Sequence, residues 1–119
     1  MVFKDERKEP LKKFIQLASG PAVEGPWTGI SEPFTEPWSE GPSAMKIGDE
    51  YIVYYDHYRE PKKFQGVQSK DLKHWRQANV TFPEGSKHGS FLKITKEEAA
   101  RLLQARNSCV RTARVCRIG

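Results

Sequence analysis

The sequence predicts an all-β fold: part of a β-propeller, about two four-stranded antiparallel blades with the first incomplete, then a short C-terminal helix. Three observations predict it. The chain nearly repeats itself, its candidate strands are short and aromatic, and turn signals separate them. Met1-Val2-Phe3-Lys4-Asp5 is echoed by Ile52-Val53-Tyr54-Tyr55-Asp56, Lys12-Lys13-Phe14 by Lys62-Lys63-Phe64, Ser19 by Ser69 and Trp27 by Trp75. The spacing drifts around 50 residues. Repeats of this length built from short strands are the sequence signature of stacked blades. A blade cannot bury its own two faces, so two of them imply a larger assembly.

Taken in order, residues 1–4 form a strand and residues 6–12 a charged loop containing Pro10. Residues 13–18 form the next strand. Gly20-Pro21 and Gly25-Pro26 mark turns. Residues 30–43 are rich in Pro, Gly, Ser and Thr but carry Phe34 and Trp38, which predicts an ordered connector rather than a flexible linker. The second unit is clearer. A short strand over 43–46 leads through Gly48-Asp49, a hairpin turn signal, into the β-prone run 51–56. Strands over 64–69 and 77–82 complete the blade, and 90–94 reads as a closing strand. Thr95 and Glu98 are spaced as a capping box, N-cap and N3, for a helix through about Gln104. The units are therefore 1–42, an incomplete blade and connector; 43–94, a complete blade and closing strand; 95–106, a helix; and 107–119, a poorly ordered tail. The opening strand of the first blade would precede Met1, so the chain is expected to be the later part of a larger protein.

Composition narrows the classes. Aromatic residues make up 11% of the 119 positions, which argues against disorder. No apolar run reaches membrane-spanning length, and no signal-peptide pattern opens the chain, which leaves the compartment open. The net charge is +5. Arg111, Arg114 and Arg117 in the acid-free tail account for most of it. Elsewhere Lys and Arg alternate with Asp and Glu, as on a solvated surface, so neither a nucleic-acid nor a membrane partner is expected. Cys109 and Cys116 show no metal-site spacing; they are either two free thiols or a pair. Exposed blade flanks predict self-association.

Asp56-His57-Tyr58 at a blade end has two readings. Asp56 and His57 could present sugar-binding groups, since carbohydrate sites combine aromatic platforms with hydrogen-bonding side chains. Alternatively Asp56, which repeats Asp5, caps a strand-end turn. Trp27 and Trp75 repeat and are expected to pack rather than to bind.

At Ser69-Lys70-Asp71-Leu72-Lys73-His74-Trp75 the chain resembles the S-x-D-L-x-x-W signature of five-bladed propeller glycosidases. Ser19 to Trp27 is similar to its E-G-P-W variant. Glu40-Gly41-Pro42-Ser43, followed by Lys46 to Tyr51, resembles the E-G-P segment of glycoside hydrolase family 43. Lys87-His88-Gly89-Ser90 resembles the R-H-G-[ST] segment near the end of that family. The four segments span roughly residues 1–105.

The resemblance implies the C-terminal part of an inverting hydrolase of arabinose- or xylose-containing polysaccharides. Three carboxylates would line its central tunnel: an Asp base, an Asp pKa modulator and a Glu acid. Only the acid has a counterpart here, Glu40, so the chain alone is expected to be inactive. An inverting acid faces its base across about 6.5–9.5 Å, which leaves room for water. Trp38, two residues before Glu40, is a candidate sugar platform. His88 would lie near the tunnel centre, contacting a central ion such as calcium, contacting water, or orienting a carboxylate; it could instead pack in the closing strand. The alternative function is a non-catalytic carbohydrate-binding or interaction module, possibly self-assembling.

Overall fold

A computed structural model describes residues 1–115 of the chain. The fold is mostly β, with two antiparallel sheets and one helix. β1 (Val2–Lys4) and β2 (Ile15–Leu17) form a two-stranded sheet. β3 (Ser39–Ile47), β4 (Glu50–His57), β5 (Lys63–Ser69) and β6 (Arg76–Gln77) form a four-stranded meander in that order. Helix α1 (Lys96–Val115) follows.

β4 organises the molecule because both of its faces are covered. Val53 and Tyr55 point one way and pack with Ile15 and Val67, joined by Val2, Phe34 and Trp75. Ile52 and Tyr54 point the other way and pack with Ala78, Met45, Phe64 and Phe82. This is the period-2 alternation of a strand with a core on each side. The first cluster is the seam between the two sheets. The second lies under residues 80–91, where Phe82 meets Tyr54 edge-on at 5.4 Å and Phe91 lies 4.3 Å from the same ring.

The connector is ordered, as its aromatics predict. It serves β2 as a stand-in for a neighbouring strand. Thr35 and Ser31 hydroxyls accept from Ile15 N–H at 3.0 Å and Leu17 N–H at 2.9 Å. Main-chain N–H groups of Ser31 and Phe34 donate back to Leu17 and Ile15 carbonyls at 2.9 and 3.2 Å. Glu36 ties the connector to the second sheet. It accepts from the Tyr55 hydroxyl at 2.8 Å and from the Gln65 amide, with Lys63 3.7 Å away. Burial and the Glu36 carboxylate together push the Tyr55 hydroxyl far above its usual pKa.

The segment from Ser69 to Trp75 shows why those residue types recur. The Ser69 hydroxyl accepts from Leu72 N–H at 2.9 Å and donates to Asp71 at 3.0 Å. Asp71 Oδ1 in turn accepts the N–H groups of Lys73 and His74 at 2.9 and 2.8 Å. The loop closes on itself and delivers Trp75 onto Phe34, stacked at 4.2 Å. Trp75 thus packs as expected. Trp27 is 37% exposed and lies close to Gly20, where an added Cβ would meet its ring at 3.0 Å.

Four boundaries differ from expectation. β3 begins at Ser39 rather than 43, because pairing with β4 continues past a bulge as Ser39↔His57 and Glu40↔Asp56. β6 stops at Gln77, well short of 82. Residues 90–94 form no strand: a strand needs a ladder partner, and no described strand pairs with them. Finally, α1 runs to Val115, past the expected stop near Gln104 and through most of the expected tail. No Gly or Pro interrupts residues 96–115, and Ala, Arg, Leu and Gln favour a helix. The capping box is present: Thr95 N–H donates to Glu98 at 2.8 Å, and Glu98 N–H to the Thr95 hydroxyl at 3.1 Å. The pairing state of Cys109 with Cys116 lies outside the described residues.

Candidate functional site

The site is built where β3 and β4 meet the segment at 88. Glu40 and Asp56 are directly opposite across the β3–β4 ladder. Opposed residues of a pair project to the same face, so the two carboxylates lie side by side. Immediately after Glu40 the register slips, with Gly41 and Pro42 together facing Tyr55. This is a bulge with glycine first, and Gly41 takes the required positive φ of 57°. Pro42, which has no N–H to offer, is tolerated there.

The bulge brings His88 close to both carboxylates. His88 N–H donates to Asp56 Oδ2 at 2.8 Å, and its ring Nδ1 lies 3.3 Å from the same oxygen. Ring Nε2 lies 3.7 Å from Glu40 Oε1. A Cβ on Gly41 would stand 3.1 Å from His88 Cδ2, so only glycine admits this approach without displacement. His88 itself has a φ of 44° and Trp38 one of 67°. Non-glycine residues in this region carry strain, and two of the four in the described chain sit beside Glu40.

The other oxygen of Glu40 belongs to the first sheet. Lys4 Nζ donates to Glu40 Oε2 at 3.2 Å and also reaches Glu6 at 2.8 Å. Burial pulls the Lys4 ammonium down, but its hydrogen bonds to Glu6 and Glu40 outweigh that and hold it above the usual lysine value. Lys4 also lies over the Tyr58 ring at 4.8 Å. Glu40 is thereby held by β1 on one side and faces His88 on the other.

A cleft of about 770 Å³ opens beside this group. Glu40, Asp56, His57 and His88 line it, and its far wall is the segment 80–87, including Glu84 and Lys87. Four of the five residues predicted from sequence therefore converge. Trp38 does not: it is absent from the cleft lining, meets Tyr58 edge-on at 5.9 Å, and has Arg59 stacked 4.4 Å over its ring. His57 is among the cleft-lining residues, and its ring Nδ1 lies 3.4 Å from the Pro61 carbonyl. Asp56 and Asp5, equivalent in the repeat, act differently. Asp5 caps its own turn by accepting from Arg7 N–H at 3.0 Å, whereas Asp56 holds the distant His88.

The resident ion implied near His88 does not fit what is present. Among the described residues no group of three or more His, Cys, Asp or Glu side chains is arranged to hold a metal. The Lys4 ammonium already supplies positive charge at Glu40.

Lys4, Arg59 and the wall at 80–87 were not singled out from sequence, whereas Tyr58 was named there with Asp56 and His57. The Lys4–Glu40 contact spans 36 residues and has no local signature. Arg59 adjoins Asp56-His57-Tyr58, so a basic residue at a strand end was the available signal. Neither protein-family models, nor curated proteins, nor solved structures give a match to this chain.

Proposed function

We propose that the chain carries the acid-bearing part of an inverting glycosidase site of the family 43 type, within a propeller, directed at arabinose- or xylose-containing polysaccharides. Glu40 is the general acid. One observation carries this reading: Glu40 stands at the start of the first strand of the meander, opposite Asp56 and 3.7 Å from His88, in the lining of a large cleft. Lys4 holds Oε2, and the proposed role assigns the proton transfer to Oε1, which lies 3.7 Å from His88 Nε2. Asp56 orients His88 rather than acting on substrate, because its Oδ2 is committed to the His88 main chain. The base comes from outside this group, so the chain alone turns over neither aryl arabinofuranoside, aryl xyloside nor arabinan.

A small anion can stand in for a missing base. With azide added to an aryl glycoside of poor leaving ability, azide attacks the anomeric carbon opposite the aglycone. The carbon–oxygen bond breaks and Glu40 passes its proton to the leaving oxygen. The product is a glycosyl azide of inverted configuration. Azide-dependent turnover is expected, with Glu40→Gln losing about 10²–10⁴-fold, the usual worth of acid catalysis, and Glu84→Gln unchanged. Absence of azide-dependent product, or turnover indifferent to Glu40→Gln, overturns the assignment.

The non-catalytic carbohydrate-binding module is the second reading. The Lys4–Glu40 ion pair favours it, since it gives Glu40 a purely structural task as a tie between the two sheets. Saturable binding of arabinoxylan fragments with no azide-dependent turnover would select it.

A further inference from the structure

We propose that the cleft beside Glu40 takes an acidic glycan, a xylan-type chain bearing a uronic acid, whose carboxylate is received by Lys62, Lys63 and Lys87. The inference rests on the glycan reading above and names the substrate class for that site.

The first observation is the balance of charge in the cleft lining. Lys62 and Lys63 contribute from the turn into β5, and Lys87 from the far wall, so cationic residues belong to both sides. Three carboxylates share the lining: Glu40, Asp56 and Glu84. Two of them are committed. Glu40 Oε2 holds Lys4 at 3.2 Å, and Asp56 Oδ2 accepts the His88 N–H at 2.8 Å. What remains is three lysines against Glu84.

The second observation is that these lysines are poorly matched within the chain. Lys87 is exposed and has no ion-pair partner among the described residues. Lys62 lies 3.6 Å from Glu60, with side chains 71% and 81% exposed, a setting in which an ion pair contributes little. Lys63 lies 3.7 Å from Glu36, whose carboxylate already accepts from Tyr55 and Gln65. Each ammonium sits on a flexible four-carbon stem, so all three can turn to a carboxylate that enters the cleft. Charges of one sign gathered in a cleft focus the field there and draw in the opposite charge.

The third observation is the uncharged part of the lining. Tyr58, Phe64 and Phe82 supply aromatic surface beside the lysines. Aromatic rings offer an apolar body for the face of a sugar. Ammonium groups alone would take any small anion; joined to aromatic surface they favour an anionic sugar. At about 770 Å³ the cleft is in the range that encloses a whole small ligand, so a branch of a glycan can enter it.

The test compares two branched xylo-oligosaccharides that differ at one carbon. One carries a glucuronic acid branch; in the other the carboxyl of that branch is reduced to the alcohol. Calorimetry on the full chain at low salt should show the acidic ligand bound at least about threefold more tightly, the combined worth of exposed ion pairs. The preference should vanish in 1 M salt, where the screening length is about 3 Å. Lys87→Gln, and Lys62→Gln combined with Lys63→Gln, should each reduce it. Lys73→Gln removes the same charge from outside the cleft lining and should retain it. Equal affinity for the two ligands overturns the proposal. So does an equal effect of Lys73→Gln, because net charge alone would then explain the preference. Displacement of the acidic ligand by an equal concentration of acetate marks an unspecific ionic patch and overturns it as well, as does binding of neither ligand. Binding is read without turnover, so these outcomes stand apart from the azide reaction, which decides the assignment of Glu40 by itself.

Discussion

Replacing Gly41 by alanine separates two contributions that the site joins. Gly41 and Gly48 have nearly the same backbone conformation, with φ of 57° and 61°. An L-residue in this left-handed region costs roughly 1–2 kcal/mol. Around Gly48 an added Cβ meets nothing within 4 Å, so Gly48→Ala should cost only that amount. At Gly41 the same Cβ stands 3.1 Å from His88 Cδ2, 3.4 Å from Nε2 and 3.5 Å from Asp56 Oδ2. The His88 side chain is 58% exposed and can swing away, so the clash itself is relieved cheaply. Swinging away strains the Asp56–His88 contacts, and a hydrogen bond of this sort contributes about 0.5–1.5 kcal/mol. Gly41→Ala should therefore cost about 1.5–3.5 kcal/mol in all. For a domain of this size each kcal/mol moves the melting point by about 4 °C, so the two variants should differ by about 2–6 °C. Urea midpoints give the energies, and histidine ring resonances report whether His88 has moved. Equal losses in the two variants, with His88 resonances unchanged, would refute the packing of His88 against the bulge.

Three further outcomes follow from the contacts. Asp5 is held at about 2, against an ordinary 3.8, chiefly by its hydrogen bond from Arg7, so it stabilises the fold above pH 3.8 and loses that effect as pH falls towards about 2. Arg7→Gln should flatten this acid limb in urea midpoints measured against pH, and an unchanged limb would count against the pair. Tyr55→Phe should cost about 1 kcal/mol, because Glu36 loses a donor yet keeps partial access to water; calorimetry showing no loss would remove Glu36 as the connector's tie. Deleting residues 107–119 should leave the melting point within error while lowering the helical circular dichroism signal, since α1 packs against none of the strands among the described residues; a clear drop would show that it does pack.

What could be read from the sequence was whatever is written locally. The run from Tyr51 to Asp56 carries β-branched and aromatic residues, Gly48-Asp49 carries its turn, and Thr95 with Glu98 carries its cap; all three appear as expected. The connector was recognisable because Phe34 and Trp38 need something to pack on. The site was partly legible, since Glu40, Asp56, His57 and His88 do line one cleft. Its remaining features depend on distant partners. Lys4 reaches Glu40 only because the two sheets meet at a seam. Trp38 looked like a free platform because nothing in its neighbourhood announces that Arg59 folds back over it. The helix end is hidden for the opposite reason: residues 107–119 show no clear period and no acids, which points to a loose tail, while the absence of Gly and Pro from 96–115 is the signal that bears on helix formation.

The double covering of β4 also orders the events of folding. One of its faces is closed by residues from 45 to 91, most of them one hairpin away. The other needs Val2 and Ile15, which lie roughly 40–50 residues upstream. Loop-closure entropy grows with separation, and a two-residue turn such as Gly48-Asp49 costs least to close. The β3–β4–β5 meander and its aromatic cluster are therefore expected to form first, and the seam with β1 and β2 last. Because Lys4 arrives with the seam, the ion pair at Glu40 is made only in that final step. By the same ordering the seam is expected to open first, so the Glu40 carboxylate would lose its Lys4 anchor before any strand of its own sheet is lost.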